Sequence, residues 1–131
     1  MPGVQQVIDF EASPEKALHS LQNTDWLFCL DFNVLNRTKK LSPHIEALQC
    51  TKILIDHHQE PAKEHFQFGV SDTSKSSTCE MIYDFIIESG HADCINLDIA
   101  TCLYTGVMTD TGSFRFPSTT ASVHKMVGHL K

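Results

Sequence analysis

Between Thr51 and His58 the chain reads Thr-Lys-Ile-Leu-Ile-Asp-His-His, and few architectures can use such a stretch. The run Ile53-Leu54-Ile55 is continuously apolar and largely β-branched, which predicts a strand covered on both faces, as in a parallel sheet. Asp56, His57 and His58 then emerge at its carboxyl end, the edge where open α/β sheets place ligands. Three consecutive polar side chains there are costly to bury without partners. A metal ion, a phosphate, or both would supply them.

Two further carboxylates sit in comparable settings. Leu27-Phe28-Cys29-Leu30 is a second apolar strand ending in Asp31, and Asp110 lies in the segment from Gly106 to Phe116. Asp31, His57 and Asp110 are oxygen and nitrogen donors on three separate elements. Carboxylate mixed with imidazole suits Mn²⁺, Fe²⁺ or Zn²⁺ better than Ca²⁺. A bridging carboxylate can hold two such ions ~3.5–4 Å apart, the spacing of two-metal hydrolases. His58 beside the ions could hydrogen-bond a phosphate oxygen, and Arg115 could grip a phosphate bidentately. Asp56 is placed to fix an imidazole from behind. Taken singly, each residue has a plainer reading: Asp31 as a loop cap, Asp110-Thr111-Gly112 as a helix-ending turn, Arg115 as a surface cation. The set, in its order, is what points to a metal-phosphate site.

At 131 residues the chain has the size of one domain, and 41% apolar residues are enough for an ordinary core. The net charge of −6, with lysines and arginines scattered singly, argues against duplex DNA as a partner. It leaves room for a small phosphorylated ligand. Five cysteines without a C-x-x-C pair read as reduced and buried, in a cytoplasmic setting. No segment has the pattern of a signal peptide or the length of a membrane span.

The periodicities predict a mainly parallel sheet in an α/β, three-layer fold with helices on both faces. A short strand is expected over Val4 to Phe10, then a helix opened by Ser13-Pro14 and running to about Leu21. A strand follows over Trp26 to Asp31 and a polar loop over Phe32 to Lys40. A helix opens at Ser42-Pro43, with Ile45, Ala47 and Leu48 as its apolar residues. After the Asp-His-His strand comes an edge strand over Phe66 to Val70. Ser77 and Glu80 form a capping box, and the helix it opens carries Met81, Ile82, Phe85 and Ile86 as its stripe. Gly90 ends that helix in a left-handed cap. Asn96 caps a further helix reaching Thr109–Gly112, and Pro117-Ser118-Thr119 starts the last one, with Val123, Met126, Val127 and Leu130 inward.

These motifs, in this order, resemble the DHH phosphoesterase superfamily. Asp56-His57-His58 matches its name-giving triplet, and Leu30-Asp31-Phe32-Asn33 is similar to the aspartate motif before it. Ser76-Ser77-Thr78-Cys79-Glu80 is similar to the helix opening after it, and Thr109 to Phe116 to the last motif of the catalytic domain. The form Thr-Asp-Thr-Gly-Ser-Phe-Arg-Phe most resembles the bifunctional oligoribonuclease and 3′-phosphoadenosine 5′-phosphate phosphatase branch. The resemblance implies Asp31, His57 and Asp110 as ligands of a dinuclear Mn²⁺ site, with Mg²⁺ as the alternative ion. It implies His58 and Arg115 at the phosphate, and a short single-stranded oligonucleotide or nucleotide phosphate as substrate. Pyrophosphate or polyphosphate hydrolysis within the superfamily, and a non-catalytic metal- or nucleotide-binding module, are the competing readings.

Nothing from Met1 to Leu30 matches the superfamily's first motif, of the kind His-x-Asn-Pro-Asp-x-Asp, and its C-terminal substrate-binding domain has no counterpart. The expectation is therefore a piece of the catalytic domain, weakly active or inactive by itself. An incompletely covered sheet would favour self-association, a homodimer being the simplest form.

Overall fold

The computed structural model describes residues 1–130. The chain divides into two compact units. One comprises Gln5–Ser71, and the other Met1–Val4 with the chain from Asp72 onward.

The first unit is built on three parallel strands, β1 (Trp26–Leu30), β2 (Thr51–Asp56) and β3 (Phe68–Ser71), in the order β1-β2-β3. The α/β class and the parallel sheet are as the apolar runs predict. Register aligns Cys29 with Leu54, and Phe28 with Ile53 and Phe68. Because side chains alternate along a strand, Cys29, Lys52, Leu54 and Asp56 share one face, and all four are buried. The other face is apolar but largely open: Trp26, Phe28, Leu30, Phe68 and Val70 are all exposed. α1 (Pro14–Gln22) and α2 (Ser42–Ala47) contribute buried Ala17 and Ile45 to this unit, whereas Ala47 is exposed. Proline near the start of each presets the helical φ where no amide partner is required. Lys52, buried between strands, places its ammonium on the Leu48 carbonyl at 2.7 Å.

The strand expected over Val4 to Phe10 does not form. Val4–Gln6 is a 3₁₀ turn, and the residues after it are irregular. Asp9 explains why: its Oδ1 accepts the Glu11 amide at 2.8 Å and its carbonyl accepts the Ser13 amide at 2.9 Å. An aspartate turn closes there before a ladder can begin. Phe32 to Lys40 is also more regular than a loop, since Leu35–Leu41 winds as 3₁₀ turns kinked at Lys39.

The second unit is three helices, α3 (Thr78–Glu88), α4 (Leu97–Asp110) and α5 (Ala121–Leu130), around Tyr83, Leu103, Val107, Val123 and Met126. The cap residues act as their sequence positions imply. Ser77 Oγ accepts the Glu80 amide at 3.1 Å, Asn96 Oδ1 accepts the Ile99 amide at 3.0 Å, and Gly90 takes φ +80°. The Glu80 carboxylate, however, does not close the expected reciprocal box on the Ser77 amide. It is buried, accepting the Ser76 amide at 2.9 Å and the Ser122 hydroxyl at 2.5 Å, with Lys75 at 3.7 Å. The Asp84 carboxylate, hydrogen-bonded to the Lys75 ammonium, holds that lysine above its ordinary range against the opposing effect of burial.

On α3, Met81 is buried and Ile82 and Ile86 pack against the core as the stripe predicts, with two differences. Phe85 is exposed, and Tyr83 is buried with its hydroxyl 2.6 Å from His129 Nδ1. α5 begins later than Pro117, because the Ser118 carbonyl takes the Ser76 hydroxyl and the Thr119 amide turns back to Phe116. Among the described residues, no helix is long and apolar enough to cross a membrane.

None of the five cysteines is in a disulfide. Burial pushes the Cys29 thiol up to about 11, whereas Cys94 is exposed. At pH 8 the Cys29 thiolate is therefore only about one part in a thousand. Timed iodoacetamide labelling, read by peptide mass spectrometry, should mark Cys94 long before Cys29. Equal labelling of the folded protein would contradict the packing of β1.

Candidate metal centre

Asp31 follows the last residue of β1. Its amide donates to the Ile55 carbonyl at 3.2 Å, extending the ladder by one bond. The chain then leaves the strand direction abruptly, with Asp31 at φ +66°, a left-handed conformation that aspartate tolerates better than most residues. On the neighbouring strand β2 ends at Asp56, so His57 and His58 leave the same carboxyl edge.

Asp56 is fully buried and spends both oxygens on His58: Oδ2 accepts the His58 amide at 3.0 Å, and Oδ1 lies 2.7 Å from Nδ1. An ionised carboxylate there keeps the proton on Nδ1 and leaves Nε2 for the site. His57 packs its ring edge-on to His58 at 4.7 Å, with Nε2 3.6 Å from Asp31 Oδ1. That separation is too long for a hydrogen bond, yet near the spacing of two donors on one ion with bonds of about 2.1 Å. One ligand atom from each of Asp31, His57 and His58 lies within 4.8 Å of the others. A carboxylate with two imidazoles fits a divalent transition ion. The grouping differs from the expected division of labour, because it gathers His58 with Asp31 and His57.

Asn33 closes the aspartate motif Leu30-Asp31-Phe32-Asn33, at the start of the polar segment after β1. Its Nδ2 donates to the Gln59 carbonyl at 2.6 Å, and the Ala62 amide donates to its own carbonyl at 2.9 Å. The segments after β1 and β2 are thereby tied together. Its Oδ1 is buried without a hydrogen-bond partner among the described residues.

Asp110 and Arg115 belong to the helical unit. Asp110 is the last residue of α4, exposed, and Arg115 lies in the turn beyond it. That turn is unusual: Gly112, Ser113 and Phe114 have φ of +57°, +60° and +63° in succession. Left-handed backbone costs a non-glycine residue about 1–2 kcal/mol. Ser113→Gly should therefore raise stability by about 0.5–1 kcal/mol, after the extra chain entropy of glycine is deducted. Urea unfolding measures it, and an unchanged or lowered midpoint would show the turn to be unstrained.

Comparison with known proteins gives one answer at several levels. A family model described as "DHH family, N-terminal domain" matches residues 3–107. The bifunctional oligoribonuclease and PAP phosphatase NrnA of Bacillus subtilis is 40% identical over 77 residues, covering 58% of this chain and 24% of the relative. The protein of the same description from Thermus thermophilus is 40% identical over 79 residues, covering 60% of this chain and 23% of the relative. The crystal structure of an exopolyphosphatase-related protein from Bacteroides fragilis superposes with a TM-score of 0.95 at 33% identity. It matches 99% of this chain with 38% of its own. The chain thus spans about a quarter of the length of these curated relatives. On the extent of the family match, the chain belongs to the DHH family and carries its N-terminal domain over residues 3–107.

Proposed function

We propose that this domain serves a metal-dependent phosphoesterase of the cytoplasm, acting on short single-stranded oligonucleotides or nucleotide phosphates such as 3′-phosphoadenosine 5′-phosphate. The observation that carries the reading is the convergence of Asp31, His57 and His58 within 4.8 Å at the carboxyl edge of a parallel sheet. The activities in the names of two relatives at 40% identity point the same way. The solved relative described as exopolyphosphatase-related keeps polyphosphate hydrolysis as a second reading.

Asp31 and His57 would hold the ion, and Asp110 is the third ligand that the family resemblance implies. Mn²⁺ is the first choice for this donor set, and Mg²⁺ the second. When bound, such an ion supplies positive charge at the phosphoryl oxygens and acidifies a water. The remaining chemistry falls to the protein. Asp56 fixes the His58 ring, whose Nε2 faces the reaction as proton carrier or phosphate contact. Arg115 offers a planar fork to a second pair of phosphate oxygens.

Two-metal hydrolysis needs more donors than Asp31, His57 and Asp110 provide, so the 131-residue chain alone should be slow. The reacting groups must also be aligned, a term worth ~7–11 kcal/mol when geometry is right. The test compares this chain with a chain of the relatives' full length on a nitrophenyl phosphodiester, a short oligoribonucleotide, 3′-phosphoadenosine 5′-phosphate and polyphosphate, each with and without Mn²⁺. Strong Mn²⁺-dependent turnover of the nucleotide substrates by the longer chain supports the proposal. Preference for polyphosphate selects the second reading, and equal rates in both chains would show that the site is complete without further donors.

A further inference from the structure

The turn after α4 is organised around Thr111, a residue that contributes no charge and is fully buried. Its hydroxyl donates to the Val107 carbonyl at 2.7 Å and accepts the Phe114 amide at 3.1 Å. Its carbonyl accepts the amides of both Arg115 and Phe116, each at 3.0 Å. The Thr111 amide also donates to the Val107 carbonyl at 3.1 Å. These bonds converge on one residue and close over the three consecutive left-handed residues Gly112, Ser113 and Phe114.

The far side of the turn is held as firmly. Phe114 packs its ring on Tyr104 at 5.7 Å and on His124 at 6.4 Å, and Arg115 Nε donates to the Gly112 carbonyl at 2.8 Å. An added Cβ at Gly112 would run into the Phe116 ring. A buried threonine that only filled space would need none of these bonds. One that only ended a helix would use its hydroxyl on the preceding turn and leave the residues beyond it alone. Two non-glycine residues persist in left-handed backbone only where their surroundings over-determine them.

From this geometry we infer that Thr111 is a positioning residue: it locks Asp110, at the end of α4, and Arg115, in the turn beyond, into one rigid piece that fixes the direction in which each side chain leaves the backbone. The inference rests on the site reading above, because Asp110 and Arg115 matter together only if both serve the phosphate-metal centre. Thr111 itself touches neither substrate nor ion.

The test uses the ¹⁵N-labelled 131-residue chain, with the Arg115 Nε–H and Asp110 amide signals as reporters and inorganic phosphate as the probe. In the wild type the Arg115 Nε–H signal should be sharp and should shift as phosphate is added. Thr111→Val keeps shape but removes both hydroxyl bonds. Its α3 and α5 signals should stay in place, while the Arg115 Nε–H and Asp110 signals move or broaden, and phosphate affinity should fall at least tenfold. Thr111→Ser, which retains the hydroxyl, should restore both reporters and bring affinity to within about twofold of wild type. If Thr111→Val does not fold, Thr111→Ala, which can admit water to the Phe114 amide, replaces it under the same criteria.

A folded Val or Ala variant with unchanged Arg115 and Asp110 signals would overturn the inference and leave Thr111 as packing. A wild type whose Arg115 signal ignores phosphate would instead count against Arg115 as a phosphate contact. The ligand-free reporters would still decide the role of Thr111.

Discussion

Replacing either Asp31 or His57 with alanine, in a chain of the relatives' full length, is expected to cut Mn²⁺-dependent phosphoester hydrolysis by about a thousandfold. A bound ion contributes several kcal/mol of transition-state charge stabilisation, and ~4 kcal/mol corresponds to about three powers of ten in rate. Asp31 and His57 face each other at 3.6 Å, so each variant removes one of two adjacent donors. His58→Ala should behave differently, with turnover falling by about 10²–10⁴, the range for a positioned acid or base, while Mn²⁺ content stays near wild type. Asp56→Ala should resemble a partial His58 defect, because the ring loses the carboxylate that holds its Nδ1. Metal content by elemental analysis and initial rates, measured on the same preparations, separate the cases. Full activity in Asp31→Ala or His57→Ala would mean that the carboxyl edge of this sheet is not the reaction centre.

The largest effect on stability is expected at Glu80. Its carboxylate is buried and accepts from the Ser76 amide and the Ser122 hydroxyl, joining the start of α3 to the start of α5. Glu80→Ala strands both donors, each costing about 1–3 kcal/mol when left unsatisfied, so a loss of about 3–5 kcal/mol is expected. That is a large part of the ~5–15 kcal/mol that holds a typical domain. Lys75 retains Asp84 at 2.6 Å, so the variant does not also leave a lone ammonium. Chemical unfolding followed by circular dichroism gives the number. A loss below 1 kcal/mol would show that water replaces the carboxylate.

Much of this architecture is legible from the residues. Ile53-Leu54-Ile55 and Leu27-Phe28-Cys29-Leu30 mark parallel strands because an uninterrupted apolar run has no other economical place. Ser77, Gly90 and Asn96 mark helix ends because their backbone chemistry is local. What is hidden depends on distant partners. The Val4–Phe10 segment carries Val7, Ile8 and Phe10 as a short strand can, but the Asp9 turn competes with it over a span of four residues. Glu80 carries the capping-box spacing, yet its carboxylate goes to Ser122, which no local pattern could announce. Asp31 could be placed at a strand tip, but neither its left-handed backbone nor the gathering of His58 beside it follows from periodicity. Thr111 was invisible for a similar reason. A buried hydroxyl is recognised by its bonds, and those bonds exist only once the turn is closed.

The open sheet face also has an optical consequence. The chain has a single tryptophan, Trp26, and it stands 65% exposed on that face. Its emission in the folded protein should already resemble that of indole in water, so denaturation will change it little and it will be a poor gauge of unfolding. It will be a sensitive gauge of coverage instead. Any surface laid over Trp26, Phe28 and Phe68 must shift that emission to the blue and shield the indole from acrylamide. A dilution series in one cuvette can therefore show whether this face stays wet.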